Sequence, residues 1–465
     1  MLLEFTVENY RSFGARQTLS MIPGRERTHQ ENLFKIEELD QRVLPAAAVF
    51  GANASGKSNL IRAIWCMLNI IRTSAIGLNP GDPLPDITPF RLDSSHTDEP
   101  SRFEILFSPG GADILSDNKG GLEVRPPGNR LLRYSFSATA LAVTAESLRE
   151  VHPSGSMETI FERNIQTDEP SWNFSKEIDE QATKLIRERT RNNALALSVG
   201  ANLNIGELPR IYEALTGGIQ AMDMAPPPPV SPMLIFDWPR RLNDDPALKA
   251  KIDTLIRDAD IGIASLNVQT PAEPSNYEVE ELRKQFGGIP PEFARKMLAA
   301  RHGFRVTTQH RRADSDQRVL FDWYDESRGT KVFTAQAVFM LDALSTGKTV
   351  LVDEFASSMH PLLARRLIEL FQNPENNKSG AQLIFATHDV TLMDQALFRR
   401  DQIWLTEKNS HGETELRSLA DLEQPNRPRS TEAFARNYLT GCYGGVANFG
   451  PTLEGRPIEA GAGEK

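Results

Sequence analysis

The octapeptide Gly51-Ala52-Asn53-Ala54-Ser55-Gly56-Lys57-Ser58 constrains this chain more than any other stretch. It fits the pattern G-x-x-x-x-G-K-[ST] at every fixed position, and its flanks supply the strand and helix that the pattern needs. Ala46-Ala47-Ala48-Val49-Phe50 is a small apolar run leading in, and Leu60 to Ile71 is apolar at helical spacing leading out. Glycines permit a tight loop whose N–H groups converge on phosphate oxygens, and the following helix N-terminus adds partial positive charge. Lys57 is placed to reach β- and γ-phosphates, and the Ser58 hydroxyl to hold Mg²⁺. The expectation is a nucleoside triphosphate site built from Gly51, Ala52, Asn53, Ala54, Ser55, Gly56, Lys57, Ser58 and the next residue, Asn59.

Composition narrows the classes around that site. A chain of 465 residues, 40% hydrophobic and 25% charged, reads as a soluble globular protein of two to three domain-sized units. The net charge of −10 argues against wrapping nucleic acid over the whole surface and leaves a local basic groove open. Cys66 and Cys442 lack C-x-x-C neighbours, which excludes a disulfide framework and a cysteine zinc site. Met1 to Glu8 alternates and carries acids, so it reads as a strand and not a signal peptide. No apolar run approaches the roughly 18 residues of a spanning helix. The expected compartment is cytoplasmic, with no membrane contact.

The remainder of a nucleotide site lies far downstream. Thr349-Val350-Leu351-Val352 is a short apolar run ending in Asp353-Glu354, where Asp353 would join the Mg²⁺ shell and Glu354 would polarise an attacking water. Phe355-Ala356-Ser357-Ser358-Met359-His360-Pro361 follows at once. A second apolar run, Gln382 to Ala386, ends in Thr387-His388-Asp389, placing His388 to reach a γ-phosphate. Upstream, in Asp325-Glu326-Ser327-Arg328-Gly329-Thr330, Ser327 and Gly329 at a helix N-terminus make a phosphate-sized nest. Lys57, Glu354 and His388 form the expected catalytic set. Arg11, close after the first strand, either approaches the phosphates from the side or is a solvated strand-end arginine.

Patterning suggests four segments: 1–144, 145–300, 301–444 and a loose tail, 445–465. In the first, strand-like runs at Phe103–Phe107 and Leu131–Phe136 flank a glycine-rich loop, 108–130. From 145 to 300 the pattern turns helical, as at Ile178–Arg191 and Ile252–Ile261, broken by the extended connector Pro226–Pro229. Strand-like text returns at Gly303–Thr307 and Val319–Trp323. Without heptads, the middle is expected to be a compact helical lobe and not a long coiled coil.

The ordered set of motifs resembles the ABC-type ATPases. The opening Phe5-Thr6-Val7-Glu8-Asn9-Tyr10-Arg11-Ser12-Phe13 resembles the SMC, OLD and RecF-like branch. More narrowly, the chain resembles RloA/AbiLi-like ATPases of bacterial anti-phage loci. The matches there are residues 51–59, Asn193-Ala194-Leu195-Ala196-Leu197-Ser198-Val199, residues 326–330, Asp353-Glu354 with His360-Pro361, and Tyr438-Leu439-Thr440-Gly441-Cys442-Tyr443-Gly444. Three departures stand out: no glutamine loop, with Pro89-Phe90-Arg91-Leu92-Asp93 in its region; Arg328 inside the signature; and too little chain after His388 for an appended Toprim nuclease.

The resemblance implies an α/β P-loop NTPase of ABC-ATPase type, a mixed sheet flanked by helices, with an inserted helical lobe. It implies ATP and Mg²⁺ as cofactors, and a homodimer or higher homo-oligomer in which Ser327 and Gly329 act in trans on the other subunit's nucleotide. It also implies a sensor or scaffold role that controls a separate effector, a nuclease or toxin from the same locus. The competing reading is a RecF-like DNA clamp, for which Arg301, Arg305, Arg311, Arg312 and Arg318 would supply the DNA contact. A transporter subunit is disfavoured by the missing glutamine loop and altered signature.

Overall fold

The computed structural model describes residues 1–36, 39–110, 113–116, 122–125, 130–165, 171–222, 238–259, 262–270, 274–285, 288–302, 304–315, 317–423 and 432–446. Two units emerge. The first gathers Met1–Ala221, Ala343–Ser357 and Arg365–Lys465; the second gathers Met222–Asp342 and Ser358–Ala364.

The first unit is organised by a six-stranded sheet in the order Ile219–Met222, Thr349–Val352, Gln382–Ala386, Ala46–Gly51, Ile403–Lys408, Thr414–Ser418. The middle four strands run parallel, and Thr414–Ser418 closes one edge antiparallel. Thr349–Val352, Gln382–Ala386 and Ala46–Gly51 are buried at every residue. Parallel strands covered on both faces need unbroken apolar text rather than alternation, which explains why these runs read as plain hydrophobic stretches. The helix Lys57–Thr73 presents Leu60, Ile61, Ile64, Leu68 and Ile71 to the core.

A seven-stranded antiparallel sheet completes this unit: Ser171–Phe174, Met157–Asn164, Val143–Val151, Leu131–Ala138, Ser101–Phe107, Leu2–Glu8, Gln17–Ser20. Strand Leu131–Ala138 alternates half-buried and buried positions, with one face in the core. The two strands that follow it carry a buried ion pair, Glu146 of Val143–Val151 with Arg163 of Met157–Asn164. The Glu146 carboxylate caps the helix Ala196–Asn202 by accepting the N–H groups of Ala196 (2.7 Å) and Leu197 (3.0 Å). The Asn193-to-Val199 segment is therefore a fastener: Asn193 donates to the carbonyls of Asn79 and Asp82, and Ser198 to that of Ile71.

Two corrections to the sequence reading follow. The helical pattern does not begin at 145, because residues 143–151, 157–164 and 171–174 are strands of the antiparallel sheet. Two of their charged residues, Glu146 and Arg163, lie buried on the core side as an ion pair, which masks the period of two. The glycine-rich 108–130 stretch likewise contains a hairpin, Asp113–Ser116 with Leu122–Arg125. The four prolines at 226–229 lie outside the described residues.

The second unit is mixed rather than purely helical. Its helices include Trp238–Asp244, Pro246–Asp258, Asn276–Gln285 and Pro291–His302, and it carries a three-stranded antiparallel sheet, Ile263–Gln269, Arg305–Arg311 and Arg318–Asp322. Val279, Leu282, Ala294 and Leu298 form a small core between the helical pair. Among the described residues, no helix is long and apolar enough to cross a membrane.

Candidate functional site

Three loops leave the carboxyl ends of three adjacent parallel strands: Gly51 onward from Ala46–Gly51, Asp353 onward from Thr349–Val352, and Thr387 onward from Gln382–Ala386. Ligands of open α/β sheets bind at that edge. Backbone and hydroxyl bonds tie the strand ends together. Thr387 donates its N–H to the Val49 carbonyl (3.1 Å) and its hydroxyl to the Phe355 carbonyl (2.8 Å), and the Phe355 N–H reaches the Ala386 carbonyl (2.8 Å).

The phosphate loop has the geometry that its glycines require. Gly56 has φ of 118°, and a Cβ there would lie 2.2 Å from Thr414 Oγ1. Lys57 is buried, and its ammonium donates to the carbonyls of Gly51 (2.7 Å) and Ala52 (2.8 Å). Burial pulls the Lys57 ammonium down to about 8, against the opposing pull of Asp353. Ser58 Oγ donates to Asp353 Oδ1 at 3.1 Å, joining two residues 295 positions apart. Glu354 follows with φ of 49°, a strained conformation for a non-glycine residue, and its N–H is held by Asp353 Oδ1 (3.0 Å). Desolvation and then Lys57 lower the pKa of His388, while Glu354 and Asp353 work in the opposite direction. All four titratable groups thus share one electrostatic neighbourhood.

A hydroxyl and a carboxylate 3.1 Å apart are hard oxygen donors. That pair fits Mg²⁺, which takes one or two protein oxygens and completes its shell with phosphate and water. Among the described residues no cluster of three or more His, Cys, Asp or Glu could hold a metal alone.

Several expected nucleotide contacts are committed elsewhere. The Ala52 N–H donates to the Gly445 carbonyl (2.8 Å), which also accepts the Tyr438 hydroxyl (2.9 Å). Asn59 Nδ2 donates to Ser12 Oγ (2.8 Å), holding the loop to the N-terminal motif. The Arg11 guanidinium is engaged by the Asp86 carboxylate and the Tyr10 hydroxyl. Burial opposes the Arg11 charge, but Tyr10 and Asp86 outweigh it and its pKa is raised. Arg11 is thus held by these partners and is not a freely solvated side chain. Asn53 and Ala54 stand exposed at the loop tip, while Ser55 is buried with its hydroxyl 2.6 Å from Thr406 Oγ1.

Sequence reasoning missed the residues that hold this loop in shape. Thr414 Oγ1 donates to the Ser55 carbonyl and lies 2.8 Å from Ser12 Oγ. Thr406 packs against Gly51, and Gly445 accepts from Ala52. Ser12 and Gly445 were findable, since each sits in or beside a quoted motif. The threonines carry no local signal, because strand pairing alone brings them to the loop. The expectation of a loose tail from 445 also meets Gly445 in a defined contact; residues 447–465 lie outside the described residues.

In the second unit, Ser327 caps the helix Arg328–Thr346, accepting the Thr330 N–H at 3.0 Å. A Cβ on Gly329 would lie 2.7 Å from the Ser358 carbonyl, so glycine is required there by packing alone. Ser327 is exposed. Of the five arginines between 301 and 318, Arg312 pairs with Asp314 and Arg305 lies 4.0 Å from Asp322. Arg318 donates to Gln309, and the Arg301 side chain lies outside the described residues.

A family model described as "AAA domain, putative AbiEii toxin, Type IV TA system" matches residues 46–116 and 122–394, most of the chain. The chain belongs to this AAA family. The matched span contains Lys57, Ser327, Asp353, Glu354 and His388. Among curated proteins there is no sequence match to this AAA protein. Solved structures similar to it include the SMC head domain from Thermotoga maritima, at 13% identity, covering 90% of this chain and 98% of that one with a TM-score of 0.35. An SMC head bound to the C-winged helix domain of ScpA shows 13% identity, coverage of 91% and 98%, and a TM-score of 0.40. The recombination mediator RecF with ATP, from the RecFOR pathway, shows 14% identity, coverage of 83% and 92%, and a TM-score of 0.32. These likenesses are too distant to assign an activity. The topology and the family together give the fold: a mixed α/β P-loop NTPase of ABC-ATPase type.

Proposed function

We propose that this AAA protein binds and hydrolyses ATP with Mg²⁺ and uses that cycle to control a separate effector. The observation that carries the reading is the Ser58–Asp353 hydrogen bond, with Lys57, Glu354 and His388 in the same electrostatic neighbourhood. Lys57 holds a positive charge at the loop mouth, where β- and γ-phosphate oxygens would replace the Gly51 and Ala52 carbonyls as its partners. Ser58 and Asp353 would hold Mg²⁺, which neutralises phosphate charge. Glu354, one residue beyond, accepts a proton from the attacking water, and His388 donates to the terminal phosphate. Ser327 and Gly329 of one subunit would cover the nucleotide of the other, making ATP both substrate and glue for a homodimer.

The test is the oligomer mass of two variants with ATP and Mg²⁺ present. Glu354→Gln is expected to trap the ATP-bound dimer, and Lys57→Ala to prevent it; equal masses would remove the sandwich from the proposal. The cellular role is read from the AbiEii-type family: a cytoplasmic sensor or scaffold in anti-phage defence, its effector a nuclease or toxin encoded in the same locus. A pull-down with native neighbouring genes, with and without ATP, should return such a protein in stoichiometric amount. Recovery of nucleic acid alone, lost steeply with salt, would shift the reading to a DNA clamp.

A further inference from the structure

Strand Arg318–Asp322 is exposed on both of its faces and sits at the edge of the three-stranded sheet. Its inner edge pairs with Arg305–Arg311, and among the described residues nothing pairs with its outer edge. Three consecutive apolar side chains stand open to solvent along it: Val319 at 37%, Leu320 at 60% and Phe321 at 43%. Natural sheets usually blunt such an edge with charge, proline or a bulge. Here the charges sit only at the two ends, Arg318 and Asp322, and they are of opposite sign.

That arrangement is self-complementary. Antiparallel pairing of two copies about Leu320 sets Arg318 opposite the other copy's Asp322, and Asp322 opposite its Arg318. Val319 then falls opposite Phe321 in both directions, and Leu320 opposite Leu320. Each face of the joint strand pair is matched: Val319 and Phe321 share one face as β-branched and aromatic partners, while leucines flanked by ion pairs occupy the other. A shift by one residue would break the charge matching. Within one copy, Arg318 faces Arg311 in strand register, an unfavourable like-charge pair, and among the described residues the Arg318 side chain bonds only the neutral Gln309. An incoming aspartate relieves that excess.

We propose that the outer edge of Arg318–Asp322 is a homotypic interface. Two copies of the chain pair there, antiparallel and in register about Leu320, to form one continuous six-stranded sheet with two-fold symmetry. The pairing needs no nucleotide and is distinct from the ATP-dependent association proposed above. Five residue pairs make a small contact, so the association is concentration-dependent.

Crosslinking without ATP tests it. In a Cys442→Ser background, with Cys66 buried, Leu320→Cys places two thiols at the symmetry axis. Antiparallel partners have Cα atoms about 4.5–5.5 Å apart, within disulfide reach. Oxidation with copper–phenanthroline is expected to give a disulfide-linked dimer for Leu320→Cys. Tyr324→Cys, at a more exposed position (88%) beyond the strand, should give little. Equal yields at the two positions, or no dimer at Leu320→Cys, would overturn the proposal. Sedimentation supplies the second measurement. Arg318→Asp turns two attractive pairs into two repulsive ones and should weaken self-association by about tenfold. The double variant R318D/D322R should recover most of that loss, and failure to recover would count against the register. Because both measurements omit ATP, a negative result here leaves the sandwich dimer standing, and a failed sandwich leaves this interface standing.

Discussion

The segments Asn9–Phe13 and Asp353–Ser357 use the same backbone device to opposite ends. Both place non-glycine residues at positive φ: Asn9 at 50° and Arg11 at 51° in the first, Glu354 at 49° and Ala356 at 69° in the second. In the first, every side chain is occupied. Asn9 donates to the carbonyls of His96 and Glu99 and accepts the Phe90 N–H; Tyr10 and Phe13 are fully buried; Arg11 holds Asp86; Ser12 receives Asn59. In the second, Glu354 is exposed, and its carboxylate makes no hydrogen bond or ion pair among the described residues. Strain with satisfied side chains marks a clasp that sets the phosphate loop. Strain with a free carboxylate fits the water-polarising role proposed for Glu354.

That contrast breaks most visibly at Glu354. Glu354→Gln preserves shape and backbone but removes the proton acceptor, so turnover should fall by about 10² to 10⁴ while ATP affinity and melting temperature stay near those of the parent. A steady-state ATPase assay beside a nucleotide-binding titration separates the two effects. If turnover survived, Glu354 would belong with the clasp. Asn9→Ala should do the reverse. It strands the buried Phe90 N–H at a cost of roughly 1–3 kcal/mol, and leaves the part-buried carbonyls of His96 and Glu99 without this donor. Thermal denaturation should show the loss, while turnover per folded molecule changes little. A kinetic defect without a stability defect would place Asn9 in the active site.

The division between clasp and chemistry also explains what was legible in the sequence. The candidate site residues sit in loops directly after short, uniformly apolar strands. Gly51–Ser58, Asp353-Glu354 and His388 could therefore be read as a set before any coordinates. Asn9-Tyr10-Arg11-Ser12-Phe13 was recognisable as a pattern, but its role was not, since Asn9 and Arg11 act on partners at 86–99 that no local spacing predicts. Thr406 and Thr414 reach the loop only through strand pairing, and nothing in their neighbourhood marks them. The strands at 143–174 read as helical in the local text because Glu146 and Arg163 put charge on the buried face, which blurs the period of two. Tertiary pairing, absent from local text, decided each miss.

A smaller effect sharpens the comparison from the side of charge. Lys57 belongs to both regimes: it is buried like a clasp residue, yet its ammonium sits within the phosphate loop. Its pKa is held near 8 in the folded protein, against an ordinary 10.5. Below about pH 8 both folded and unfolded chains hold the proton, and the folded state carries the full cost of a buried ammonium. Between pH 8 and 10.5 the unfolded chain binds more protons, so this group's contribution makes folding more favourable as pH rises. ATP affinity should move the other way, falling by up to about tenfold per pH unit above 8 as the charge that attracts phosphate is lost. Binding at pH 9 should also take up a proton, visible by calorimetry in buffers of different ionisation enthalpy. Affinity that is flat from pH 7 to 9 would mean that the ammonium keeps its proton despite burial.

The smallest expected effect tests whether the clasp reaches the loop at all. Ser12 Oγ accepts from Asn59 and lies 2.8 Å from Thr414 Oγ1, which in turn donates to the Ser55 carbonyl inside the phosphate loop. Ser12→Ala removes the shared atom without changing the packing of Tyr10 or Phe13. One neutral hydrogen bond is worth about 0.5–1.5 kcal/mol, and here the loss falls on loop order rather than on the core. The expected outcome is an ATP Kd raised by roughly two- to tenfold, with kcat at saturation unchanged, because Glu354 and Asp353 hang from a different strand. Ser12→Thr, which keeps the hydroxyl, should recover affinity. A fall in kcat would instead mean that the clasp reaches the water-polarising carboxylate, and the separation of positioning from chemistry would have to be redrawn around the loop as a single unit.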